Sequence, residues 1–427
     1  MCLKIPKVIL VFAVTVLLSG CSTPHTLPDT PNLYTAPAST YPSEDVAPSY
    51  QTSSPDIFYI TDRFRSPDIA ETTYISERSA SMAFGKVNVC FGDEMSWEEL
   101  VHISAVKSRD DEIPLTLSDI DEITRFPQTP LPFEIIDGKY ATRDDVAKAY
   151  AASTEAMQKN ISEKLNASKA KDIILFIHGF NNSFEDSALN LADIWHFTGR
   201  HGVPVFYSWP AAHGGVKGYF VDSESGEFSI YHLKETIRIL SEMPELERLH
   251  IIAHSRGTAL VSSAIRELVI EVRASGADPR EVLKMENVIL AAPDLDVGVV
   301  QQRLGAERLE TAIGQTTIYT NREDRALGIS QFLVDGLRFG RLSANDLSEQ
   351  EREIMGQIRN VSFINVEGVD SLIGHSYYRK HSGVLSDLAI LIRQGLKPGE
   401  PGRPLIRTQD NFWVLPIGYP HNENLEN

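Results

Sequence analysis

From Ile173 onward, short β-type apolar runs alternate with helix-type stretches, and this alternation constrains the fold more than any other feature. The runs are Ile173–His178, Val203–Ser208, Leu249–His254, Val288–Ala292, Thr316–Thr320 and Val361–Val366. Helical patterns fill residues 184–199, 231–243, 257–274, 297–312 and 325–338. The first two runs lack polar alternation, as strands covered on both faces should. Such alternation builds right-handed βαβ units and a mostly parallel, doubly wound α/β sheet. Functional loops in such sheets gather at the carboxyl ends of the strands.

One of those ends carries a nucleophile. Arg248 to Leu260 reads as strand, sharp turn and helix, with Ala253-His254-Ser255-Arg256-Gly257 at the turn. A turn of this kind strains the serine backbone and lifts its hydroxyl clear of the sheet. Ala253 and Gly257 are small enough to let strand and helix approach closely. The pentad alone decides little, because about 0.3 matches are expected by chance in a chain this long. The groups at the other strand ends matter more.

After the first run stands His178-Gly179-Phe180-Asn181. Backbone N–H groups of Phe180 and Arg256 are candidates for an oxyanion hole. A donor already aimed at developing charge contributes ~3 to 4 kcal/mol of transition-state stabilisation. His178 and His254 sit too close to these turns to act as base and read as structural. Gly374-His375-Ser376 follows the last run, so His375 is the leading base and His381 its competitor. For the acid, Asp324 lies one strand before the histidine, while Asp294, with Asp296 beside it, follows the preceding strand. Asp324 is preferred, and Asp294 is the alternative or else a structural group beside Arg256. Trp209, in Ser208-Trp209-Pro210, either walls the acyl pocket or caps the core. The Gly-rich stretch 211–220 is long enough to line or cover the site and carries no group assigned to chemistry.

Composition removes several function classes. A formal charge of −18 over 427 residues disfavours a nucleic-acid partner, which needs a basic face. There is no Cys-x-x-Cys, no His-Glu-x-x-His and no phosphate-binding Gly-x-x-x-x-Gly-Lys-Ser/Thr, so no metal or cofactor is expected. Lys4 and Lys7 precede an apolar run, Val8 to Leu18, far short of the roughly 20 residues that span a bilayer. Leu18-Ser19-Gly20-Cys21 resembles a bacterial lipobox. Residues 1–20 are therefore expected to be a lipoprotein signal peptide and Cys21 the lipidated residue. Ser22, rather than Asp, follows the lipidated position, and the resemblance to lipoproteins of bacteria with two membranes implies sorting to the outer membrane. Residues 21–55, rich in Pro, Ser and Thr, are expected to form a disordered tether. The remaining divisions are an accessory, strand-rich portion (56–140), the main domain (141–400) and a C-terminal tail (401–427).

From about Asp172 to Leu391 these motifs together resemble an α/β-hydrolase family of bacterial proteins catalogued as domain of unknown function 900. The resemblance is carried by Ile177-His178-Gly179-Phe180-Asn181-Asn182-Ser183-Phe184, Ser208-Trp209-Pro210, Ala253-His254-Ser255-Arg256-Gly257, Ala292-Pro293-Asp294, Asp324-Arg325-Ala326-Leu327 and Gly374-His375-Ser376-Tyr377-Tyr378. Upstream, Phe58 to Arg63 and Phe84-Gly85 resemble the segment that commonly precedes this domain. It implies the α/β-hydrolase fold and a triad in which Ser255, Asp324 and His375 match the catalytic positions. Arg256 departs from the apolar residue more usual after the serine. The resulting expectation is a lipid-anchored serine hydrolase acting on a small acyl ester, ahead of an amide or thioester. A non-catalytic envelope scaffold and an acyltransferase are the competing expectations.

Overall fold

The computed structural model describes residues 24–421 apart from 38, 68–73, 335 and 370–373. The expected signal peptide, residues 1–20, and Cys21 lie outside the described residues. Thirteen strands occur in chain order: β1 (Asp56–Arg65), β2 (Tyr74–Phe91), β3 (Leu115–Arg125), β4 (Phe133–Ile136), β5 (Lys139–Thr142), β6 (Asp172–Ile177), β7 (Val203–Ser208), β8 (Arg248–His254), β9 (Met285–Ala291), β10 (Gln315–Thr320), β11 (Val361–Val366), β12 (Ile406–Gln409) and β13 (Phe412–Leu415). Eleven of them form one sheet in the order β12-β13-β11-β10-β9-β8-β6-β7-β1-β2-β3, with β4 and β5 making a separate hairpin.

The six expected runs are the contiguous centre of this sheet, and all pair in parallel. Their apolar residues point alternately to two layers. Ile173, Leu175 and Ile177 pack on one face, Ile174 and Phe176 on the other. The chain leaves β6 toward β7, then returns to add β8 on the opposite side of β6. The carboxyl ends of β6 and β8, where the strand order reverses, are the place where ligands bind in open α/β sheets. Among the described residues no helix is long and apolar enough to cross a membrane.

The flanking regions differ from expectation in three places. The strand-rich portion adds to the main sheet, with β1 parallel to β7 and β2 and β3 antiparallel beyond it. Of the expected tail 401–427, residues 401–421 are described and join the sheet, because β13 pairs in parallel with β11 and β12 closes the edge. Asp387 explains why this region is held. Its carboxylate accepts from Arg403 Nε and Nη2 at 2.9 and 2.8 Å and from the Tyr319 and Tyr419 hydroxyls at 2.6 Å each. The buried guanidinium keeps Asp387 ionised despite burial, holding its pKa below the ordinary value.

The tether is the third correction. Tyr34, Tyr41, Val46 and Tyr50 are buried, and the Tyr34 and Tyr41 hydroxyls donate to the Phe197 and His196 carbonyls. Four aromatic or aliphatic anchors spaced along a polar segment suffice to bury it, although its composition as a whole reads as disordered.

Candidate functional site

The helix Gly257–Ala274 starts directly after β8, and the turn between them forces Ser255 to φ +50°. A non-glycine residue held there stores backbone strain, a feature that clusters at functional sites. Neighbouring contacts fix the turn. Ser255 N donates to Ala291 O at 2.9 Å, while the Ser255 carbonyl accepts from Thr258 Oγ1 at 2.6 Å. The small residues are required by space. A Cβ on Gly257 would lie 2.2 Å from His178 O, and one on Gly179 would lie 2.9 Å from Ser255 Cβ. The helix start therefore presses against the β6 turn, which itself touches the serine.

That β6 turn is held from behind. His178 is buried and stacks on Trp209 at 5.0 Å, with planes 4° apart. The Trp209 backbone N–H donates to His178 Nε2 at 3.1 Å, so Nδ1 carries the ring proton and donates to Gly179 O at 2.8 Å. Burial, with Arg63 nearby, lowers the His178 pKa well below the usual histidine value, keeping it neutral. Trp209 Nε1 donates to His178 O at 2.9 Å. Of the two roles considered for Trp209, the core-capping one describes these contacts.

Arg63, from β1, donates to Ser208 Oγ (2.8 Å), Ala211 O (3.0 Å) and Asn182 O (2.7 Å). It is fully buried, and burial pushes its pKa down to about 10, which leaves it charged. Asn181 adopts φ +56° and donates its N–H to Asp222 Oδ2 at 2.9 Å. Asp222 Oδ1 also meets His213 Nδ1 at 2.6 Å. Burial raises the Asp222 pKa above the ordinary aspartate value. With the turn pinned on both sides, the N–H groups of Phe180 and Arg256 donate to no acceptor among the described residues. Free N–H groups beside a serine are what an oxyanion hole requires.

The two acids separate by their contacts. Asp324 Oδ2 lies 2.7 Å from His375 Nδ1, and Oδ1 accepts from Leu327 N at 3.0 Å. Asp294 is engaged elsewhere: its carboxylate accepts from Tyr219 OH (2.8 Å) and Ser330 Oγ (2.7 Å) and faces Arg338 Nε at 3.6 Å. Arg256 reaches the Asp294 backbone carbonyl at 3.3 Å rather than its carboxylate. Asp296 caps the helical turn Val297–Val300 through Val299 N. His381 likewise caps the helix Ser382–Gln394, accepting from Val384 N at 3.3 Å.

His375 arrives beside the elbow through His254. The two rings are 4.7 Å apart, and His254 Nε2 donates to His375 O at 3.2 Å. Burial and the neighbouring His375 depress the His254 pKa well below the usual value, so it braces the loop as a neutral ring. The imidazole–carboxylate link is formed, whereas no hydrogen bond joins Ser255 Oγ to His375 in this structure. Such bonds are often long or misaligned without substrate and tighten in the reactive complex.

Sequence reasoning missed three groups at this rim. Tyr219 packs edge-on against Phe180 at 5.6 Å and lies under the Arg256 guanidinium at 5.9 Å, and the His213–Asp222 pair flanks the same turn. They were hidden because residues 211–220 read as a glycine-rich loop. The helix there begins at Gly215, much earlier than residue 231, and carries Tyr219 and Asp222 to the rim. A histidine nine residues before a helix-borne aspartate was the available signal. Elsewhere, Asp172, His201 and His250 bring ligand-type atoms within 4.8 Å of one another. Arg248 already binds that carboxylate through Nε and Nη2 at 3.0 and 2.7 Å, closing a hydrogen-bonded network at the opposite end of the sheet.

No curated protein matches the chain. Residues 153–394, more than half of its length, match the family described as "Alpha/beta hydrolase of unknown function (DUF900)". With the parallel sheet, the elbow and the rim groups placed as above, the chain belongs to this family of α/β-hydrolases of unknown function.

Proposed function

We propose that this protein is a serine hydrolase that cleaves a carboxylic ester. The supporting observation is the 2.7 Å contact between Asp324 and His375, on a loop braced against the residue preceding a strained serine. His375 accepts the proton of Ser255 as the hydroxyl oxygen attacks the ester carbonyl carbon. The N–H groups of Phe180 and Arg256 stabilise the oxyanion, and the alcohol leaves with the proton returned by the imidazole. Water, deprotonated by the same histidine, then releases the acid. Exposed Phe220 meets the ring of Tyr219 edge-on at 5.7 Å, beside Phe180, and favours an ester with an apolar acyl part. The test is covalent labelling with a fluorophosphonate. Wild-type protein is expected to be labelled and Ser255→Ala not. A wild type that resists labelling would return the protein to the scaffold reading.

The same proposal includes lipid anchoring through Cys21 in the bacterial outer membrane, resting on the lipobox-like sequence. The expected amino-terminal peptide begins at Cys21 and carries the mass of its acyl chains. An unmodified Cys21 in the mature protein would end that part of the proposal.

A further inference from the structure

On the face of the sheet covered by the elbow helix lies a cavity of about 500 Å³. Its floor is β9, β10 and β11, contributing Val288, Leu290, Ile318 and Phe363, and its roof is the segment 297–310. The reading of 297–312 as one helix is corrected here. One helical turn is followed by a π-helix, Gln301–Gly305, and a 3₁₀ turn, Leu309–Ala312, so the roof is a broken segment that does not press onto the sheet. The gap shows in the core. Val288, Leu290, Leu309, Ile313, Phe339 and Leu347 keep 3–7 % of their surface open, whereas Ile173 to Ile177 keep 0 %.

The cavity is half open and apolar, and its size falls within the range of small-molecule sites. Its mouth supplies the polar end. Gln301, Gln302, Glu310 and Glu351, all partly or fully exposed, are among its lining, and among the described residues no lysine, arginine or histidine lines the cavity. Gln301 Nε2 donates to Glu351 Oε1 at 2.7 Å, linking the roof to the helix Glu349–Gln357 across the opening. Carboxylates and amide oxygens at the mouth accept from a hydroxyl and repel a carboxylate head. Ser255, Arg256, Asp294, Asp324 and His375 are all absent from the lining, so this space is separate from the catalytic rim.

We infer that the cavity is a binding site for a long aliphatic molecule with an uncharged, hydroxyl-bearing head, such as a long-chain alcohol or monoacylglycerol. This inference does not depend on Ser255 being a nucleophile.

The test titrates the full chain with the uncharged fluorophore N-phenyl-1-naphthylamine, then displaces it with 1-monooleoylglycerol or oleate. Saturable one-to-one binding is expected in wild type and in Ser255→Ala alike, with the monoacylglycerol displacing at least tenfold better than oleate at neutral pH. Ile265→Trp fills the cavity from the elbow helix, and Val300→Trp fills it from the more tolerant, half-exposed roof. Whichever of them keeps the wild-type circular dichroism spectrum should bind the probe at least tenfold more weakly. Absence of saturable binding in wild type overturns the inference. So does wild-type affinity in a folded filled variant, or oleate displacing as well as the monoacylglycerol.

Discussion

Ser255→Ala is expected to lower turnover of a short p-nitrophenyl ester by roughly 10⁴-fold or more, the scale seen when a serine nucleophile is removed from a working triad. The fold should survive. The Ser255 hydroxyl makes no hydrogen bond among the described residues, and the contacts that hold the turn come from its backbone. Alanine is similarly strained at φ +50°, so stability should move by less than about 1 kcal/mol. Steady-state kinetics with a melting curve on the same preparation checks both halves. Full turnover in the variant would remove the proposed mechanism, and a lost melting transition would mean that the elbow was misread as tolerant.

Asp324→Asn is expected to reduce kcat by roughly 10³- to 10⁴-fold with little change in KM. The cause is a tautomer. Asp324 Oδ1 accepts from Leu327 N, so the carboxamide keeps its oxygen there and turns its NH₂ toward His375 Nδ1. The imidazole must then carry its proton on Nε2, where it cannot accept one from serine. Asp294→Asn should behave differently. Its carboxylate accepts from Tyr219 and Ser330 and faces Arg338, so the substitution leaves buried partners poorly matched and costs about 1 to 3 kcal/mol of stability. Side-by-side kcat and melting temperature separate the two acids. A larger loss of kcat in Asp294→Asn would reassign the acid.

The central fold was legible because β6 and β7 lie buried on both faces and so carry apolar runs unbroken by polar alternation, and because glycine at 257 answers a steric demand visible as a motif. Asp324 and His375 were legible through their order along parallel strands, which a doubly wound sheet converts into adjacency. What failed were regions whose structure is set by a few distant contacts. Arg63 reaches the ends of two strands, β6 and β7, from a strand outside the expected domain. Asp387 meets its partners only after residues 403–419 fold back. Neither leaves a periodic trace in the sequence. The segment 24–55 failed for the opposite reason, since average composition outweighed four well-placed side chains.

That segment also determines how far the protein could reach. His25 is already fixed, its ring 2.7 Å from Asp193. On the proposal that Cys21 carries the lipid, only four residue steps separate membrane from body, at most ~14 Å of chain instead of the roughly 100 Å that a free leash over residues 21–55 would allow. Asp193 also accepts from Arg379, four residues beyond His375, so the moored flank is the one bearing the histidine loop. A hydrolase so tightly berthed would graze molecules in or just above its own leaflet and would be unable to sweep the space between two membranes.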